Sequence, residues 1–383
     1  MELVMSNRQY QICTSCVMDT SDENITFDEK GVCDHCTGFY RDLLPHWDTG
    51  AKGRQQITEI FEKIKRDSKG KPFDCIMGMS GGLDSSYLLH IAVKEFGLRP
   101  LVFHVDGGWN SQLAVHNIEV IVEKLGLDLY TEVINWEEMK DFQRAFFKAS
   151  VPHIDIPQDH AFIATLYKFA NKHGIKYILN GGNFSTECVR NPLEWMYYGT
   201  DMWQLKDIHG QFGERPLKDY PLSSIWFHKV YLRFIKGVKV VKPLNYVPYI
   251  RAEAIKTLTE EYGWKSYPRK HDESRFTKFY EGYWLPKKFG YDTRRIQYSS
   301  LILTKQMTRE EALDKLALPA HDPETIEQDF EYVANKLDMT VAELQRLMEL
   351  PNKSYRDYRS QRYLFELGAK VMRLLGMERA IKR

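Results

Sequence analysis

Across 383 residues the chain has no apolar run of 18 residues, so no stretch of it reads as a membrane-spanning helix. Its first residues carry no apolar core of signal-peptide type, which makes the cytoplasm the expected compartment. A surplus of positive charge is missing too: 53 Lys and Arg stand against 52 Asp and Glu. A general nucleic-acid binder would carry a clear basic excess, so this balance speaks against an RNA substrate. Cysteine is scarce, six in all, and neither a repeat period nor a low-complexity segment is visible. The rest, 43% hydrophobic and 13% aromatic, describes a globular chain long enough for two domains.

One stretch organises what is there. Within Phe73-Asp-Cys-Ile-Met-Gly-Met79 the run from Ile76 to Met79 is short and bounded, as a buried strand should be. It ends in Ser80-Gly81-Gly82-Leu83-Asp84-Ser85-Ser86, and a helical pattern follows up to Gly97. Two glycines between strand and helix let the backbone approach a ligand closely, and the first helical turn presents free N–H groups to an anion. Ser80, Ser85 and Ser86 add hydroxyls, and Asp84 offers one carboxylate to a phosphate-bound Mg²⁺. The pattern predicts an anion cradle fitted to pyrophosphate. No Gly-Lys-Ser/Thr follows, so it is not a Walker A loop.

Strands and helices then alternate. Strands are expected at 100–106, 129–134 and 177–179, and helices at 57–67, 113–125 and from Asp159 to about His173. Residues 46–56 read as a polar linker, and the stretch after Trp136 resembles neither element. This alternation gives an α/β fold with a doubly wound parallel sheet, whose ligand lies beyond the carboxyl ends of the strands. Three such ends carry Gly-Gly: after Met79, after Asp106 and after Asn180. The aromatics between 191 and 239 read mainly as core. Beyond Arg251, the string Pro268-Arg269-Lys270-His271-Asp272-Glu273-Ser274-Arg275-Phe276-Thr277-Lys278 mixes both charges with aromatics and has no helical stripe. It suits a pocket for a polar, negatively charged small molecule, with Arg251, Arg269, Lys270, His271, Ser274, Arg275 and Lys278 as binding groups. Thr308-x-x-Glu311 and Thr340-x-x-Glu343 are capping boxes, and 355–375 is a long segment with an apolar stripe.

Four cysteines sit near the start as Cys13-x-x-Cys16 and Cys33-x-x-Cys36, a spacing that predicts a four-thiolate zinc ribbon around a short hairpin at 26–32. An iron–sulfur cluster is the weaker competitor.

Ser80–Ser86 resembles the signature of the PP-loop ATP pyrophosphatases, which cut ATP to AMP and pyrophosphate. In that resemblance His104, Val105 and Asp106 border adenine and ribose, Gly181 and Gly182 belong to a second small motif, and Glu187 partners Asp84 on Mg²⁺. A closer likeness rests on Cys13-Thr-Ser-Cys-Val-Met-Asp-Thr20, His104-Val-Asp-Gly-Gly-Trp109, Ile156-Pro-Gln-Asp-His160 and His271-Asp-Glu-Ser-Arg-Phe-Thr-Lys278. Together these resemble the N-acetyl sugar amidotransferase family of bacterial surface-polysaccharide and flagellin-glycan pathways, over Cys13 to about Lys315.

The resemblance implies a zinc module at 1–45, a PP-loop ATP-binding domain at 57–245 and a helical substrate or partner region at 246–383. It implies ATP, Mg²⁺ and Zn²⁺, with Asp84, Lys270 and His271 as catalytic groups. It also implies an N-acetylated sugar whose acetamido group becomes an acetamidino group. No Cys follows Met1, Cys75 falls inside a strand, and Cys188 has no glutaminase surroundings. Ammonia is therefore expected from a separate glutaminase subunit, with a channel-forming synthase-like subunit alongside. The rival is a tRNA-thiolating PP-loop enzyme using Cys188 as sulfur carrier. Near-neutral charge and the lack of a C-terminal cysteine cluster speak against it.

Overall fold

A computed structural model of the chain describes residues 8–374. Five strands form one sheet: β1 (Cys75–Gly78), β2 (Pro100–Asp106), β3 (Leu129–Val133), β4 (Tyr177–Leu179) and β5 (Lys239–Val241). Their order is β3-β2-β1-β4-β5 and every pairing is parallel. Parallel strands need crossovers, and the crossover helices cover both faces. Cys75 and Met77 point toward Ala51–Asp67, Leu83–His90, Gln112–Leu125 and Arg251–Tyr262, whereas Ile76 faces Ile156–Lys172 and Phe227–Ile235. The chain leaves β1 first for β2 and later for β4, so the switch point of the topology falls between β1 and β4. Ligands of such sheets collect at that point.

A second core lies beside the sheet. Helices Trp136–Ala149 and Met202–Phe212 pack there with Arg275–Phe279, Leu285–Phe289, Ile326–Lys336 and Val341–Glu349. Both capping boxes form, at Thr308 with Glu311 and at Thr340 with Glu343. The apolar segment at 355–375 becomes helix Arg362–Leu374, and position 375 lies outside the described residues. No described helix is long and apolar enough to cross a membrane.

Two expectations are corrected. The linker is shorter than expected, because helix Ala51–Asp67 already starts at Ala51. Gly53 belongs to it for packing: a Cβ there would lie 2.6 Å from the Tyr246 carbonyl oxygen. The unassigned stretch after Trp136 is a helix capped by Asn135, whose side chain accepts from the Glu138 N–H. The 191–239 aromatics are mainly core, as expected: Trp195, Tyr197 and Tyr220 are buried and Tyr198, Phe227 and Tyr231 pack half-buried against the cores, while Trp203, Trp226 and Phe234 are exposed.

The N-terminal module is organised by its cysteines. Asp28 turns the chain by accepting from the Lys30 and Val32 N–H groups, Gly31 takes φ +76°, and Phe27 bridges Cys33 antiparallel. The four sulfurs gather within 4.8 Å of one another, with Cys13–Cys36 at 3.8 Å and Cys16–Cys33 and Cys33–Cys36 at 3.6 Å. Sulfurs about 2.3 Å from a tetrahedral zinc lie about 3.8 Å apart, so the set fits Zn²⁺. Backbone N–H groups of Ser15, Cys16 and Cys33 point at the Cys13 sulfur, as charged thiolates require. Among the described residues no other group of three or more metal-ligand side chains forms. Arg309 ties the module down, donating to the Cys13 and Cys16 carbonyls. The protein should carry about one zinc per chain, and Cys33→Ser should lose it and lower the melting temperature. Elemental analysis and a thermal melt check this; iron with a visible charge-transfer band would overturn the zinc assignment.

Candidate functional site

The Ser80–Ser86 turn follows β1, and its shape depends on Gly81. That residue sits at φ +80°, and a Cβ on it would lie 2.6 Å from the Ala114 carbonyl oxygen. Only glycine meets both demands cheaply. Its own carbonyl accepts from Trp264 Nε1 at 3.2 Å, Tyr267 OH at 3.1 Å and Asn117 Nδ2 at 3.5 Å. The turn is thereby bonded to the segment that leads into 268–274. Opposite lies the loop after β4, where Gly181 approaches so closely that a Cβ would touch the Asp84 backbone at 3.2 Å.

Between these loops opens a cavity of about 280 Å³. Ser80, Gly82, Asp84 and Ser85 line one side, Gly181, Gly182 and Glu187 the next, and Arg251, Arg269, Lys270 and His271 face them. Three separate stretches of sequence therefore meet in one place. Lys270 joins two of them: its Nζ donates to Glu187 Oε1 at 2.6 Å and stands 3.5 Å from Asp84 Oδ2. The other Asp84 oxygen accepts from the Tyr249 phenol.

Charge in the cavity is set by burial against these pairings. Burial opposes the Lys270 ammonium, yet Asp84, Glu187 and Glu273 outweigh it and raise its pKa. Burial would push Glu187 up, but Lys270 holds it below the ordinary value. His271, at φ +68°, lies 3.0 Å from Glu281, which outweighs burial and pushes the imidazole up to about 9. At neutral pH it is an imidazolium, and the charge is lost only as pH rises through that value. Burial pushes Asp272 up to about 6 and raises Glu273 as well.

Other expected residues lie outside the cavity lining and make other contacts. Ser86 follows Asp84 by two residues, roughly 200° around the helix, and is fully buried outside the cavity lining. Gly81 gives the turn its shape and is absent from the cavity lining, its carbonyl taken up by Trp264 and Tyr267. His104 bridges the Met79 carbonyl and the Asn110 amide, Asp106 accepts from the Gly108 N–H and Asn110, and Val105 packs in the core. None of these three lines the cavity. Ser274 caps helix Arg275–Phe279. Arg275 lies 3.4 Å above the Tyr332 ring and pairs with Asp329, as Lys278 also does at 2.8 Å. Their partners are some fifty residues away in sequence, so nothing local marked them as structural.

The cavity also contains groups that sequence reasoning missed. Glu273 sits over the turn, its Oε1 2.7 Å from where a Gly82 Cβ would be, and Trp264, Tyr267, Tyr298 and Lys315 complete the lining. Glu273 lay in the charged string and could have been chosen; Lys315 had no local signal. Cys188 is buried 3.7 Å from the Ser300 carbonyl, and burial pushes its thiol up to about 12. A thiol so placed is a poor sulfur carrier or nucleophile.

A glycine-rich turn thus sits at the switch point of a parallel sheet and borders a charged cavity. In keeping with it, residues 74–174 match the phosphoadenosine phosphosulfate reductase domain, and residues 273–372 match the C-terminal domain of WbpG-like LPS biosynthesis proteins. The chain thus joins a PP-loop-type domain to a WbpG-like C-terminal domain. Sulfate adenylyltransferase subunit 2 of Pseudomonas fluorescens SBW25 is 29% identical over 43% of this chain and 58% of its own length. The same subunit from strain Pf0-1 is 34% identical over 30% of this chain and 37% of its own length. The chain therefore spans under two thirds of either relative. An NH3-dependent NAD synthetase from Campylobacter jejuni aligns over 78% of this chain and 98% of that one, at 15% identity and a TM-score of 0.28. That overlap is too loose to carry an argument.

Gly81→Ala should test the turn directly, since it meets both the positive φ and the Ala114 backbone. We expect a loss of roughly 1 kcal/mol or more of stability, read as a lower midpoint in urea. An unchanged midpoint would show that the turn relaxes freely.

Proposed function

We propose that the protein is an ATP-dependent amidotransferase acting on an N-acetylated sugar, nucleotide-linked or nonulosonic, in lipopolysaccharide O-antigen or flagellin-glycan assembly. The observation that carries the reading is the meeting of the Ser80–Ser85 turn with the Arg251 and Arg269–His271 groups in one cavity that is walled in part by the WbpG-like domain.

An amide carbonyl is a poor electrophile, and ammonia does not displace its oxygen unaided. Transfer of AMP to that oxygen makes it a leaving group, with pyrophosphate departing from ATP. The N–H groups after Gly82 and the hydroxyls of Ser80 and Ser85 bind the departing phosphates. Asp84 and Glu187, two carboxylates on facing loops, would hold Mg²⁺, which neutralises developing phosphate charge when bound. Lys270 and the His271 imidazolium place fixed positive charge beside the same oxygens. Ammonia then attacks the activated carbon, AMP leaves, and the new nitrogen sheds a proton. Glu273, its carboxyl raised by burial, is the wall residue suited to take that proton. The ammonia comes from a glutaminase partner with a channel-forming synthase-like subunit.

Two experiments test this. Asp84→Asn should fold normally and lose at least about 10²-fold in pyrophosphate release; near-normal turnover at saturating Mg²⁺ and ATP would reject the role given to Asp84. The isolated chain, offered ATP and nucleotide-linked diacetamido sugars, should make AMP, pyrophosphate and acetamidino product from ammonium salts but not from ¹⁵N-amide glutamine. Label from glutamine without a partner would mean that a glutaminase site lies within this chain.

A further inference from the structure

Two walls of the cavity carry opposite and unbalanced charge. On one, Asp84 and Glu187 each give one oxygen to the protein, to the Tyr249 phenol and to the Asn183 N–H at 3.4 Å. The second oxygen of each lies against the Lys270 ammonium, at 3.5 Å for Asp84 and 2.6 Å for Glu187. On the other wall Arg251, Arg269 and Lys315 make no ion pair among the described residues, and Arg269 Nη1 is sealed from solvent without a protein partner. Carboxylates and guanidiniums that share a cavity without pairing leave room for a ligand bearing both signs: a metal polyphosphate, metal toward the carboxylates and phosphates toward the cations.

Lys270 already stands where that metal would go. It comes from the tip of a loop fixed on both sides, by the Tyr267 hydroxyl on Gly81 and by Ser111 N–H on the Glu273 carbonyl. The backbone is anchored, and the four-carbon stem supplies the rotatable bonds by which the ammonium can move.

We propose that Lys270 is a tethered counterion that occupies the divalent-metal position between Asp84 and Glu187 in the nucleotide-free protein, and that metal arriving with nucleotide displaces it toward the phosphates. The inference rests on the nucleotide reading above and adds an order to it. Two carboxylates without a cation would take up free divalent metal; with Lys270 between them, metal must first displace a fixed charge. The metal therefore enters as its nucleotide complex, and the ammonium it releases remains in the cavity beside the leaving group.

Mn²⁺, a paramagnetic stand-in for Mg²⁺, reports this by electron paramagnetic resonance without any turnover. In the full chain without nucleotide, Lys270→Met, which removes the charge and keeps most of the stem, should bind Mn²⁺ at least about tenfold more tightly than wild type. Adding Glu187→Gln should abolish the gain, and both proteins should take up Mn²⁺ with ATP. Lys270→Gln serves as the second variant, and thermal melts confirm folding of each. Equal nucleotide-free Mn²⁺ binding by wild type and both Lys270 variants, with Mn²⁺–ATP still bound, would overturn the counterion and leave the nucleotide reading standing. Failure of wild type to take up Mn²⁺–ATP would overturn both.

Discussion

The Gly81 carbonyl is the point on which the site depends. Two aromatic donors, Trp264 and Tyr267, reach it from the chain beyond helix Arg251–Tyr262, and Asn117 reaches it from helix Gln112–Leu125. A buried carbonyl must be satisfied, and these bonds do so while fixing which way the turn faces. With the Gly81 oxygen held, the turn that follows places Gly82, Asp84 and Ser85 in the cavity lining. The same bonds bring Pro268 to Glu273 over the turn, although some 190 residues separate them. Anion cradle and charged wall are thus positioned by one set of contacts, and disturbing either moves both.

The parts of this arrangement were unequally visible in the sequence. β1, β2 and β4 are short apolar runs ended by glycine, and their limits were legible to within a residue. The edge strand β5 was not: Lys239-Val-Val241 is three residues long, half exposed, and defined by pairing with β4. Helix Trp136–Ala149 was hidden for another reason. Its Glu138, Lys140 and Asp141 are buried, so polar positions that should mark a solvent face point inward. Glu138 and Asp141 there accept backbone N–H groups from 214–220, partners that no local pattern announces. Periodicity reads the environment only while the environment is water or hydrocarbon.

The same limit explains the site residues. Asp84, Glu187, Lys270 and His271 could be singled out because they flank glycine-rich turns or sit in a dense charged string. Arg275 and Lys278 belong to the same string but fall on the first turns of a helix, whose spacing carries them toward Asp329. His104 and Asp106 satisfy neighbouring backbone and Asn110, which is what residues at a strand end before a glycine turn commonly do.

The dense string from Arg269 to Glu273 is more than a concentration of charge, because its surroundings sort the protonation states. For Asp272 and Glu273 burial outweighs the nearby cations, Arg269 and Lys278 for the one and His271 and Lys270 for the other, and raises both carboxyls. His271 is buried to a similar degree but meets Glu281, and it carries its proton up to about pH 9. Lys270 meets two carboxylates and stays charged. Four adjacent residues therefore present two positive charges and two carboxyls whose affinity for a proton is raised above the ordinary carboxylate range. Fixed cations suit a departing polyphosphate, and a carboxyl of raised pKa accepts a proton far better than an ordinary one. The positive φ of His271 bends the chain between Lys270 and Asp272, and the Arg269 N–H donates to the Asp272 carboxylate across the bend.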